Sequence, residues 1–175
     1  MDKVTPQALA QRNLQRERQQ RGDDFQEEIR RSWRRLPNCW RMRIADGGGA
    51  SRPADELILL EEINVLAEQK RTAGDVFRLG MLRENQITGL VDFDEVISRN
   101  LGLVFISFLN EKKGIDKTYV FRLLTAFKFM KAKGRVSIKL EEFERKKIPC
   151  VYVPLLDAAE RTYDLKGVLD CYRYL

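Results

Sequence analysis

Histidine is absent from all 175 residues. That removes the imidazole on which serine and cysteine triads depend, and the usual ligand of zinc. Cysteine is scarce: Cys39, Cys150 and Cys171 are scattered with no CxxC pair, and are expected to be buried apolar residues. No stretch approaches the roughly 18 consecutive apolar residues of a membrane span. The opening MDKVTPQALAQRN carries no apolar signal core. A cytoplasmic protein with no membrane contact and no organic cofactor is therefore expected. Any hydrolysis would have to run on carboxylates, lysine and a hard metal ion.

The chain is otherwise ordinary in bulk, with 43% hydrophobic residues and a mean hydropathy of −0.43. Its length suits one compact domain. Charge is where it departs: the net charge is +6, and it is unevenly placed. Between Arg12 and Arg43 there are ten arginines against five acids. Between Glu111 and Lys147 there are twelve Lys or Arg against five acids, while Asp55 to Lys70 holds five acids and one lysine. Basic flanks about an acidic centre suit a protein that grips phosphates and holds a divalent cation. Two solvated faces would give the same pattern.

Residues 1–20 lack an apolar stripe and are expected to form a flexible basic arm, or a poorly anchored helix start, ahead of a domain over 21–175. Phe25, Ile29, Trp33 and Leu36 recur at helical spacing, predicting a helix over 23–35 that exposes Arg30, Arg31, Arg34 and Arg35. CWRMRIA (39–45) alternates as a strand and DGGGASRPAD (46–55) reads as a loop. A hairpin is predicted over 57–60 and 63–69, a helix over 85–99, a fully buried strand over 102–109 and another strand over 117–123. Helices are expected at 124–133, 139–147 and 164–174. The order predicts an α/β domain with a mixed central sheet flanked by helices.

The informative segment is PADELILLEEINVLAEQKRT (53–72). Strand alternation puts Glu68 and Lys70 on one face and Gln69 on the other. If the hairpin brings Asp55 alongside, two carboxylates and an ammonium converge. Asp55, Glu68 and the Gln69 backbone carbonyl would then hold Mg²⁺, with Mn²⁺ as a substitute. Lys70 would orient a water and offset developing charge. A D-x₁₂-E-x-K pattern also arises by chance, with Asp55 starting a turn and Glu68 and Lys70 as a solvated pair. Gln86 suits a supporting role at the metal, a contact with the cleaved strand, or a helix-cap role.

Arg21, Arg30, Arg31, Arg34, Arg41, Arg43 and Arg52 are candidate DNA contacts on the first basic segment, and Lys131, Arg135 and Lys139 on the second. Trp33, Trp40, Phe127 and Phe129 are expected in the core.

The D…ExK arrangement resembles that of the PD-(D/E)xK nuclease superfamily, and within it the RecU-type Holliday junction resolvases. RGDDFQEEI (21–29) resembles that family's first helix, ENQI (84–87) its Gln-Ile helix, GLVFISF (102–108) its glycine-led strand and GRVSIKLEEFE (134–144) its Gly-Arg-x-Ser-Ile segment. The resemblance implies a restriction-endonuclease-like fold in a homodimer with two metal sites, making paired cuts in a four-way junction. Two features depart from it. Gln26 stands where the family's first helix carries a glutamate, so that a third carboxylate at the metal falls to Glu27 or Glu28, or is lost. The family's long stalk shrinks to DGGGASRP (46–53). A related nuclease acting on flaps or duplex DNA, and a non-catalytic DNA-binding accessory protein, are the competing expectations.

Overall fold

The computed structural model describes residues 6–45 and 52–169. Its elements, in chain order, are α1 (Pro6–Trp33), β1 (Trp40–Arg43), β2 (Glu56–Leu59), β3 (Asn64–Thr72), β4 (Val76–Arg78), α2 (Glu84–Val96), β5 (Asn100–Asn110), β6 (Ile115–Arg122), α3 (Leu123–Ala132), β7 (Ser137–Lys139), α4 (Leu140–Glu144), β8 (Val151–Tyr152), β9 (Leu155–Asp157), β10 (Thr162–Tyr163) and α5 (Lys166–Leu169).

Six strands make one mixed sheet in the order β1-β2-β3-β5-β6-β8. The β1-β2-β3 meander is antiparallel, β5 lies parallel to β3, and β6 turns back antiparallel to β5. The parallel pair needs a crossover, and α2 supplies it. The helix, three-strand meander, helix and parallel strand in that order are those of the restriction-endonuclease-like fold.

Alternation divides β3 between two cores. Val65 and Ala67 face α1, joining Phe25, Ile29 and Trp33 in one buried cluster; Leu66 faces α2, joining Leu90, Val104, Ile106 and Phe121 in the other. Covered on both faces, β5 is buried from Asn100 to Phe108, as its nearly unbroken apolar run predicts. Two polar ties lock the layers. Asp94 of α2 accepts from the Gly102 amide at 2.9 Å and from the Arg122 guanidinium Nε at 2.8 and 2.9 Å. Glu28 of α1 receives Arg71 at the end of β3, Arg161 Nε at 3.2 Å and the Tyr163 hydroxyl at 2.9 Å.

The structure departs from the sequence reading in particular places. The first helix begins at Pro6 rather than Asp23 and runs unbroken across position 21, where an arm was expected to meet the domain. Residues 11–21 are exposed throughout, so no apolar stripe signals them. Trp40, expected in the core, is 53% exposed, because β1 is the sheet's edge and its Trp40 has no layer above it. Cys39 and Cys150 are half-buried rather than buried. Phe127 and Phe129 are partly buried against the α2-side core, and Trp33 is fully enclosed. The last helix is described only over Lys166–Leu169; the rest of 164–174, Cys171, and loop residues 46–51 lie outside the described residues.

Candidate active site

β2 and β3 pair with Glu56 opposite Ala67; continuing that register sets Asp55 opposite Glu68. The Asp55 amide donates to Ala67 O at 3.0 Å and its carbonyl accepts from Ile44 at 2.9 Å, so the residue is fixed on both edges. Both acids are enclosed, Asp55 at 2% exposure and Glu68 at 0%. The expected convergence is present: the Lys70 ammonium pairs with Glu68 Oε1 from the same strand face.

Each carboxylate has its own set of donors. Asp55 Oδ2 accepts the Gln69 amide at 2.8 Å; Oδ1 accepts Gln26 Nε2 at 3.1 Å and pairs with Arg52 at 2.7 Å. Glu68 Oε1 also accepts Gln86 Nε2 at 2.6 Å. The Gln86 carbonyl oxygen accepts the Arg83 amide at 2.9 Å, which fixes the amide orientation and aims its NH₂ at Glu68. Gln86 thus caps the start of α2 and donates to the Glu68 carboxylate. Glu68 Oε2 is buried with no hydrogen-bond partner. Burial first, and the Asp55 charge second, push the Glu68 carboxyl up to about 7, against the pull of Lys70 and Arg52.

Two close buried carboxylates with one oxygen unmatched make a donor set that suits a cation with oxygen ligands. Among the described residues no group of three or more His, Cys, Asp or Glu is gathered for a metal. The place beside Asp55 expected of Glu27 is taken by Gln26, whereas the Glu27 carboxylate turns along the helix to Arg30. Helical geometry accounts for this: Gln26 and Arg30 lie four apart on the face toward β2, and Glu27 lies a third of a turn away. Glu28 is committed to Arg71 and Arg161.

The candidate DNA contacts separate into two kinds. Arg30 and Arg41 turn inward onto buried Glu56, at 3.3 and 3.0 Å, and Gln69 Nε2 reaches the same carboxylate at 3.3 Å. Arg52 is held by Asp55, and Arg135 by Glu142. Arg21, Arg34, Arg43, Lys131 and Lys139 remain exposed, and Arg31 is half-buried. Sequence reasoning placed Gln26 as a missing ligand rather than a donor to Asp55. It passed over Glu56 and over Arg18 and Arg83, which line a cleft beside the site. The i, i+4 spacing of Gln26 and Arg30, read against two adjacent acids at 55 and 56, was the available signal for the first two.

The site therefore sits on a restriction-endonuclease-like sheet, at the open end of β2 and β3. No protein-family model matches the chain, and no curated protein matches it. Among solved structures, the chain is similar to Hjc of Archaeoglobus fulgidus, described as a Holliday junction resolvase from an archaeal hyperthermophile. Identity is 13% and the TM-score 0.35, over 50% of this chain and 66% of that one, just under two thirds of its length. At that level the likeness carries no argument about activity, and the functional reading rests on the site.

Proposed function

We propose that the chain is a metal-dependent endodeoxyribonuclease whose cation is held by Asp55 and Glu68. The observation that carries this reading is the unmatched, fully buried Glu68 Oε2 beside a second buried carboxylate. An anionic oxygen so placed costs several kcal/mol of lost solvation unless a cation compensates it. Mg²⁺ would suit two carboxylates because it keeps several waters and needs no all-protein cage; Mn²⁺ would substitute, and the Gln69 carbonyl would be the further protein ligand. When bound, such an ion polarises a phosphate oxygen and makes a bound water more acidic. Gln86 and Lys70 hold Glu68, while Gln26, Arg52 and the Gln69 amide hold Asp55. Lys70, 22% exposed at its side chain, would meet a phosphate.

The resemblance in the motifs extends this reading to a RecU-type resolvase: a homodimer making paired cuts in four-way DNA junctions during recombination and repair. One observation favours a second reading, a non-catalytic DNA-binding accessory protein. Gln26 donates to Asp55 where a third carboxylate would accept a metal.

Labelled four-way junction, flap and linear duplex of matched sequence, each incubated with Mg²⁺ or Mn²⁺, separate these. Paired nicks confined to the junction, lost in Asp55→Asn, are expected. Cutting of flaps or duplex would replace the resolvase reading with that of a related nuclease. Binding without any cut in either metal would leave the accessory role.

A further inference from the structure

The stretch of α1 over residues 11–20 is exposed throughout, yet it is one wall of a cleft. Gln15, Arg18 and Gln19 line it from this stretch of the helix, and Gln26 and Arg30 continue the same wall into the packed half. Arg43 of β1 and Arg83 at the start of α2 form the opposite side; the cleft holds about 880 Å³. Among the described residues, five arginines face it against two acids, Asp23 and Glu27. Its inner end meets the candidate active site through Gln26 and Arg52, which both contact Asp55.

Three of these arginines are uncommitted. Arg18, Arg43 and Arg83 are exposed and form no side-chain ion pair with a described residue, unlike Arg30, Arg41 and Arg52. Lone guanidinium groups on opposite walls of a polar cleft suit an anion that bridges them. The helical wall from Gln15 to Arg30 rises about 22 Å, the axial length of about six nucleotides of one strand. Among the described residues no aromatic side chain lines the cleft. It offers charge and hydrogen-bond donors for a backbone but no platform on which unpaired bases could stack.

We propose that this cleft seats the sugar-phosphate backbone of a duplex arm, about six nucleotides on one side of the cut phosphate, with Arg18, Arg43 and Arg83 as the groups that neutralise it. The assignment of a cut phosphate rests on the nuclease reading; the binding of a duplex backbone does not. The stretch of α1 over residues 11–20 is then a grip, which accounts for an exposed helical segment whose side chains do nothing for the core.

The test is fluorescence anisotropy of short labelled duplex and oligothymidine, in EDTA so that no cutting intervenes. The full chain is compared with Arg18→Gln/Arg43→Gln/Arg83→Gln and with a charge-matched control outside the cleft, Lys112→Gln/Lys113→Gln/Arg145→Gln. The cleft variant is expected to bind duplex about tenfold or more weakly near 0.1 M salt. Its plot of log affinity against log salt should flatten by about 0.9 for each phosphate that is no longer neutralised, while the control stays near wild type and oligothymidine binds more weakly than duplex. Equal weakening in cleft variant and control would overturn the cleft as a site. Oligothymidine binding as tight as duplex would overturn the duplex-arm assignment. Wild-type protein that binds duplex through the cleft but never cuts in Mg²⁺ or Mn²⁺ would sink the nuclease reading and leave the cleft standing.

Discussion

At Glu68, burial and the neighbouring Asp55 act in one direction and Lys70 and Arg52 in the other, and the balance leaves the carboxyl at about 7 against an ordinary 4.5. The folded chain therefore holds a proton that the unfolded chain has released between those two values, and folding stability falls as pH rises through that window, then levels above about 7. Glu56, raised chiefly by burial, adds a loss of the same sign. Urea titrations without metal should show this decline, of the order of a few kcal/mol in total, with a smaller decline in Glu68→Gln; an equal slope in both would show that Glu68 does not carry it. The reciprocal experiment concerns Gln26. Its Nε2 donates to Asp55 at 3.1 Å, so Gln26→Glu replaces a donor with a third anion among buried acids. The variant should unfold several degrees lower than wild type in EDTA and regain more of that loss on adding Mg²⁺; an unchanged melting temperature in EDTA would place residue 26 outside the carboxylate cluster. The Asp55, Glu68 and Lys70 part of this site was legible because strand alternation and hairpin register are strict at period two. The role of Gln26 was not, because the angle at which α1 crosses the sheet is a packing outcome and not a periodicity.

At the scale of elements, α2 brings Gln86 to Glu68 because two glycines let it come close. A Cβ on Gly102 would lie 2.2 Å from the Leu90 carbonyl oxygen, and one on Gly89 would lie 2.3 Å from Pro53 Cβ, two residues ahead of Asp55. The helix is thus wedged between the central strand and the segment leading into the site. Gly102→Ala should cost about 1–3 kcal/mol or more by overpacking against backbone. Gly22→Ala should do the opposite: position 22 is inside α1 with nothing within 4 Å of a new Cβ, so helix propensity alone predicts a gain of about 0.5–1 kcal/mol. Chemical denaturation of the two variants checks both signs, and a destabilised Gly22→Ala would mean that α1 does not run straight through residue 22. The same helix marks where the sequence was hard to read. The apolar spacing of Phe25, Ile29 and Trp33 announces its packed half, and the unbroken apolar run announces β5. Residues 11–20 have no buried face, so no period could reveal them. Nor did the short β4-β7 and β9-β10 pairs stand out, since two or three residues hold too little alternation to distinguish a strand from a turn.

Across the molecule, the buried acids Glu28, Asp55, Glu56 and Asp94 each pair with arginine, whereas Glu68, paired with Lys70, keeps one oxygen unmatched. Glu28 gathers Arg71, Arg161 and Tyr163, joining α1, β3 and β10; Glu56 gathers Arg30, Arg41 and Gln69. Glu28→Ala would leave the enclosed Arg71 guanidinium without its partner, and a loss of about 3–5 kcal/mol is expected. The Asp55–Glu68 pair behaves differently under the same logic, because its deficit is one that an ion can fill. A ligand that binds only the folded chain stabilises it by RT ln(1 + [L]/Kd), about 2.7 kcal/mol at a hundredfold excess over Kd. Melting temperature should therefore rise with Mg²⁺ or Mn²⁺ concentration in the wild type, and rise little in Asp55→Asn or Glu68→Gln. Glu68→Gln should already melt higher than wild type in EDTA, since it removes the like-charge repulsion that the cation would otherwise relieve, whereas Asp55→Asn also gives up the Arg52 ion pair and should not. A hub acid such as Glu28 cannot show this crossed pattern, destabilised as it is when altered whether or not metal is present. A calorimetric series over the three proteins with and without metal thus distinguishes a cation-binding pair from a purely structural one without any measurement of DNA cleavage. Equal metal response in wild type and Asp55→Asn would remove Asp55 from the site.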